Sequence, residues 1–141
     1  MNIRIICIGN RFFEPDAAGP RVYDMLASNP LPEGVQLIDG GLAGLNLLSC
    51  LEQTDLVIFV DTVSGFRDTP GIIVMNTFDS LHIPSDYDHN SGLGYLLRVA
   101  PLVITENLPE IVLVGIQTGS DNCLCSQAAR MCLEVISGYR A

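Results

Sequence analysis

Three short, almost uninterrupted apolar runs set the first limit on what this chain can fold into: residues 2–8 (NIRIICI), 35–38 (VQLI) and 55–60 (DLVIFV). Strands buried on both faces read this way, rich in Ile and Val with no regular polar alternation, and they belong to parallel sheets covered by helices on both sides. Helix-like stretches lie between them. Residues 19–27 (GPRVYDMLA) put Pro20 in a first turn and Val22, Met25 and Leu26 on one face, and residues 43–52 (AGLNLLSCLE) repeat Leu45, Leu48 and Leu51 helically. After a Gly-containing turn, SGFRDTPG, a fourth strand over 71–76 (GIIVMN) is suited to return antiparallel at an edge. A polar loop over 77–90, a helix from about 91 to 100, a strand over 111–116 (IVLVGI) and a last helix from about 124 to 138 complete the order. The pattern predicts a single domain over 1–141: a three-layer α/β sandwich, its mostly parallel five-stranded sheet flanked by helices through right-handed crossovers, with an antiparallel edge strand.

Composition removes several classes of function. Sixteen acidic against seven basic residues give a net charge of −9, which repels phosphate backbones and leaves no basic patch for nucleic acid. A cationic or metal-bearing partner suits that balance better, although acidity also serves solubility alone. The longest apolar runs, such as LVIFV at 56–60, are far too short to span a bilayer, and MNIRIICIGN lacks the basic flank and cleavage site of a secretion signal. No membrane association and a cytoplasmic location are the expectations. Five cysteines, an odd number, argue against a disulfide framework, and Cys123, Cys125 and Cys132 lack the paired spacing of a four-ligand metal site.

In open α/β sheets ligands collect beyond the carboxyl ends of the strands. The residues following each strand are Gly9, Asn10, Glu14 and Asp16 after the first, Asp39, Gly40 and Gly41 after the second, Asp61 after the third, and Gln117 and Thr118 after the fifth. His89 leads into the third helix, whose amino end belongs on the same rim. Each has an ordinary explanation: Asp16 as a helix cap, Asp61 as a turn anchor, His89 as a solvated loop residue. Together they offer two hard oxygen donors and an imidazole, a set suited to zinc, nickel or a similar divalent ion with open positions. A nucleotide is not expected, because CIGNRFFEPDAAG lacks G-x-G-x-x-G and sets two negative charges where a pyrophosphate would lie. No serine sits in a G-x-S-x-G elbow, and His82 reads as a surface residue.

IGN at 8–10, an acidic residue before AAG at 17–19, DGGLAG at 39–44, the lone Asp61, HNSGL at 89–93 and LVGIQ at 113–117 occur in order along nearly the whole chain. In this series the chain resembles the nickel-iron hydrogenase maturation endopeptidases. The resemblance implies a protease that removes a short C-terminal extension from a hydrogenase large-subunit precursor after nickel insertion, with the substrate's own nickel as the recognition mark. It also implies that Asp16, Asp61 and His89 contact that metal and serve the cleavage, with Asp16 or Asp61 as base, and that Asn10, Glu14, Asp39, Gly40 and Gly41 shape the substrate cleft. The chain departs from the family in separating Glu14 from Asp16 by Pro15, which leaves open which carboxylate faces the metal; distance from Gly19 favours Asp16. It departs again in GIQTGSDNCLCSQ, where relatives commonly place a proline after the strand. Two other readings stand beside this one: a non-catalytic module or chaperone that recognises a metal-loaded partner, and a nucleotide- or flavin-binding domain of similar architecture, which the acidic first loop opposes.

Overall fold

A computed structural model of the chain describes residues 1–42, 44–76, 92–117 and 121–141. Strands β1 (Ile3–Ile8), β2 (Val35–Gly41), β3 (Leu56–Val63), β4 (Gly71–Asn76) and β5 (Glu110–Gln117) form one five-stranded sheet in the order β2-β1-β3-β5-β4. β1 runs parallel to β2 and β3, β3 runs parallel to β5, and β4 returns antiparallel along β5 at the edge. The edge strand spans the residues the sequence assigns to it. Among the described residues the sheet is accompanied by helices α1 (Ala18–Ala27), α2 (Gly92–Val103) and α3 (Asn122–Arg140) and by two 3₁₀ segments, Glu14–Asp16 and Leu45–Leu51.

Alternate residues along the buried strands face opposite sides, so each strand feeds two cores. On one side Ile3, Ile5, Cys7, Ile58 and Val114 pack with Val22 and Leu26 of α1 and with Cys125, Ala128, Cys132 and Ile136 of α3. On the other, Ile6, Val57, Phe59 and Leu113 pack with Leu47 and Leu51 of the second 3₁₀ segment and Leu93, Leu96 and Ala100 of α2. Three layers result. Each fully buried Ile, Leu or Phe in these cores contributes roughly 1.5–3 kcal/mol of transfer free energy.

Four expectations need correction. The stretch 43–52 is a 3₁₀ helix over Leu45–Leu51 rather than an α-helix; its N-cap Gly44 supplies no side-chain bond, and the buried positions are Leu47 and Leu51, with Leu45 exposed. Asp39, Gly40 and Gly41 lie inside β2 rather than after it, because a register shift between Cys7 and Ile8 lets β2 follow β1 until the Gly9 N–H donates to the Gly41 carbonyl at 2.7 Å. Asp61 likewise lies inside β3, which β5 carries on to Val63. The helix expected over 91–100 continues to Val103 through Pro101. The predicted loop over 77–90, with His82 and His89, lies outside the described residues, as does Thr118.

Candidate active site

The β1–α1 junction is built by close approach of backbones. Gly9 has φ +148°, and a Cβ there would overlap the Asp16 carbonyl oxygen and stand 2.9 Å from Pro20 Cδ. Gly19 lies so near the end of β1 that a Cβ would overlap the Ile8 carbonyl. Only glycine allows both contacts, and they press α1 and the first 3₁₀ turn onto the end of the sheet. Within the loop, Asn10 accepts the Phe12 N–H on Oδ1 at 2.9 Å, and Phe13 N–H donates to the Asn10 carbonyl at 3.1 Å.

Asp16 is not a helix cap. The N-cap of α1 is Ala17, which makes no side-chain bond, and the Asp16 carboxylate turns back to accept the Asn10 N–H on Oδ2 at 3.0 Å. Glu14 is held differently: its carboxylate takes two hydrogen bonds from Arg21 Nη2, at 2.9 and 2.7 Å, and its side chain is 69% exposed.

The 3₁₀ turn carrying Asp16 packs against β3, the strand that carries Asp61. Asp61 is 6% exposed and shares the parity of Val57, Phe59 and Val63, whose side chains pack toward α2. A carboxylate is kept in such a place against the cost of desolvation only where it has partners or work to do. Its register partner on β5 is Gly115, and the room left by that missing side chain is taken by Val63, whose Cγ2 would stand 2.8 Å from a Cβ there. β1 pairs with β3 only as far as Cys7 with Val60, whereas β5 follows β3 to Val63. Asp61 thus stands just past the last rung between β1 and β3.

The cleft on the α1 side of the rim has a volume of about 250 Å³ and is walled by Gly9, Asn10, Phe12, Pro20, Asp39 and Gly41, among others. Of the predicted cleft residues, Asn10, Asp39 and Gly41 line it and Glu14 and Gly40 do not; the predicted metal contacts Asp16 and Asp61 lie outside its lining as well. Asp39 accepts the Gly41 N–H on Oδ1 at 3.1 Å and stands 3.8 Å from Arg11 Nη2. Arg11 is held more firmly protonated than usual, first by its hydrogen bond to Asp24 at 2.8 Å and then by the charge of that residue. Sequence reading missed both arginines, Arg11 and Arg21, because their carboxylate partners are set by the fold of the loop rather than by helical spacing.

Asp16 and Asp61 supply two oxygen donors to this end of the sheet, and among the described residues no group of three His, Cys, Asp or Glu side chains is close enough to hold a metal ion. The third predicted contact, His89, lies outside the described residues. All five cysteines are free, and Cys125 and Cys132 are fully buried core residues. Burial pushes the Cys132 thiol up to about 12, and raises Cys7 and Cys125 in the same direction. Among the described residues no helix is long and apolar enough to cross a membrane.

The chain belongs to the hydrogenase maturation protease family: the family model HycI, hydrogenase maturation protease, matches residues 20–126. Among curated proteins it is similar to the hydrogenase 2 maturation protease of Escherichia coli (strain K12), 28% identical over 121 residues that cover 82% of this chain and 73% of that protein. It is 31% identical over 124 residues to the hydrogenase expression/formation protein HupM of Azotobacter chroococcum mcd 1, covering 82% of this chain but 57% of the relative's length. The solved hydrogenase maturating endopeptidase HybD from E. coli has the same fold, with a TM-score of 0.80 at 23% identity over 99% of this chain and 94% of that one.

Proposed function

We propose that this protein is an endopeptidase that removes the C-terminal extension of a nickel-iron hydrogenase large-subunit precursor once nickel has been inserted, and that the nickel it recognises is the one the substrate carries. The observation that carries this reading is Asp61, a buried carboxylate at the carboxyl end of a central strand, with the turn bearing Asp16 packed against the same strand. Family membership supports hydrolysis of a hydrogenase precursor.

In this reading Asp16 and Asp61 face the metal-bearing end of the substrate, joined by His89. The donor set fits a substrate-borne divalent ion, because two carboxylate oxygens and an imidazole leave positions for the substrate's own ligands. Asp16 keeps its orientation through the Asn10 N–H, which occupies Oδ2 and leaves Oδ1 for the substrate. Asp61 or Asp16 takes the proton of the attacking water; the low exposure of Asp61 strengthens its electrostatic action there relative to a solvated carboxylate. Asp39 and Gly41 line the cleft along which the substrate backbone lies, Gly41 adding no side chain to the path, while Gly40 packs its bare Cα face against Ile6 and Ile8 of β1. The absence of a phosphate cradle at the first loop then has a reason: its occupant is cationic.

The test is mass spectrometry of a large-subunit precursor, with and without nickel, after incubation with the protein. Loss of a C-terminal peptide from the nickel-loaded form alone is the expected result. Binding of the loaded form without any cleavage would replace the protease by a recognition module, and equal cleavage of both forms would remove nickel from the recognition.

A further inference from the structure

Gln117 closes β5 and is 3% exposed, one of three buried polar or charged residues among those described, with Thr54 and Asp61. Nothing in the reaction outlined above uses it. Its Oε1 accepts the Phe66 N–H at 3.1 Å, a bond across 51 positions in sequence that ties the loop following β3 to the end of β5. Gln117 is the register partner of Val63 on β3 and of Gly71 on β4, so it stands where the central strand, its successor and the edge strand converge.

That location matters because of how Asp61 is held. Cys7 and Val60 make the last pair between β1 and β3, so Asp61, Thr62 and Val63 are secured in the ladder by β5 alone. A strand held along one edge is looser than one held along both, and its end is the part that opens first. Phe66 follows Val63 by three residues and packs its side chain against the same core as Val63 and Phe59. The Gln117 bond therefore fixes the chain just beyond the one-sided segment, and Val63, the last residue of that segment, is packed closely over Gly115, the β5 partner of Asp61: a Cβ on that glycine would stand 2.8 Å from Val63 Cγ2.

We infer that Gln117 is a positioning residue for Asp61: through Phe66 it clamps the end of β3 and holds the buried carboxylate in its working geometry. This rests on the protease reading for its activity consequence but not for its structural one. The role calls for a buried acceptor of glutamine length, which Met, nearly isosteric, lacks and Glu retains.

The experiment compares Gln117→Met and Gln117→Glu with the unaltered chain by hydrogen exchange, thermal unfolding and precursor processing. In Gln117→Met, exchange across residues 61–66 should quicken at least tenfold while α3 and β1 keep their protection, and kcat for processing should fall about tenfold with KM for the precursor little changed. Gln117→Glu, compared with the unaltered chain at the same pH toward the acid end of the stability range, where its carboxyl is protonated, should restore slow exchange, and its kcat relative to the unaltered chain at that pH should exceed that of Gln117→Met. Faster exchange with unaltered kcat would overturn the positioning role, and so would a loss of kcat with unaltered exchange. If the parent chain cuts no precursor, the protease reading fails by itself, and the exchange data still decide whether Gln117 clamps β3.

Discussion

Placing the same methyl group at three glycines should give three different outcomes. At Gly9 the backbone has φ +148°, and the new Cβ would overlap the carbonyl oxygen of Asp16, a backbone atom that cannot swing aside, with Pro20 Cδ at 2.9 Å. Strain at a φ that L residues avoid costs about 1–3 kcal/mol, and forcing a methyl into a packed contact costs about 1–3 kcal/mol more. At Gly41 φ is +59° but nothing lies within 4 Å of the built Cβ, so only the left-handed cost of roughly 1–2 kcal/mol applies. At Gly138, inside α3 with open space around it, alanine should stabilise the chain by about 0.5–1 kcal/mol through the unfolded-state entropy it removes. For a chain of this size each kcal/mol moves Tm by roughly 2–4 °C. Thermal unfolding followed by circular dichroism should therefore show Gly9→Ala lower by roughly 10 °C, Gly41→Ala lower by roughly 4 °C, and Gly138→Ala raised by roughly 2 °C. Because Gly9 rests against Asp16, Gly9→Ala should also lose processing activity beyond what its unfolded fraction explains. A Gly9→Ala protein no less stable than Gly41→Ala would refute the claim that the β1–α1 junction is held by backbone contact.

Two further outcomes follow from the site and the core. Asp61→Asn and Asp16→Ala should each lower precursor processing by about 10²–10⁴-fold, the range for loss of a positioned acid–base group, while circular dichroism shows the fold retained; near-normal processing by either variant would remove that residue from the reaction. The Cys132 thiol sits at about 12 in the folded chain against an ordinary 9.0, so above pH 9 the unfolded state loses its proton first and binds fewer protons than the native one. Stability should then fall as pH rises between about 9 and 12, by about 1.4 kcal/mol per unit from this thiol, and urea titrations should show a shallower slope in Cys132→Ala.

Much of the architecture was legible because burial on both faces writes itself into composition. Runs such as LVIFV leave a strand no polar side to show to water, and that alone places β1, β3 and β5 in the interior of a parallel sheet. The edge position of β4 was readable from the Gly-containing turn before it. The segment 43–52 was misread because its leucines satisfy more than one helical repeat, and only packing decides that Leu47 and Leu51 are the residues that go inward. Strand ends were misplaced for a related reason: a strand continues as long as a neighbour offers hydrogen bonds, and the neighbour is not in the local sequence. β5 carries β3 past Asp61, and the bulge at Cys7 and Ile8 carries β2 past Asp39.

By itself, then, the sequence determined which residues form the strands, that the chain carries a net charge of −9, and which carboxylates follow or end the strands at the carboxyl end of the sheet, because hydrophobic periodicity, charge and the topology rule for open sheets are all properties of the chain read in order. Tertiary structure alone decided that Glu14 belongs to Arg21, that Asp16 is fixed by the Asn10 N–H and that Gln117 ties down the loop after β3. Those choices depend on hydrogen-bond directions within a loop and on contacts as distant as 51 residues, and neither distance nor direction is encoded in local spacing.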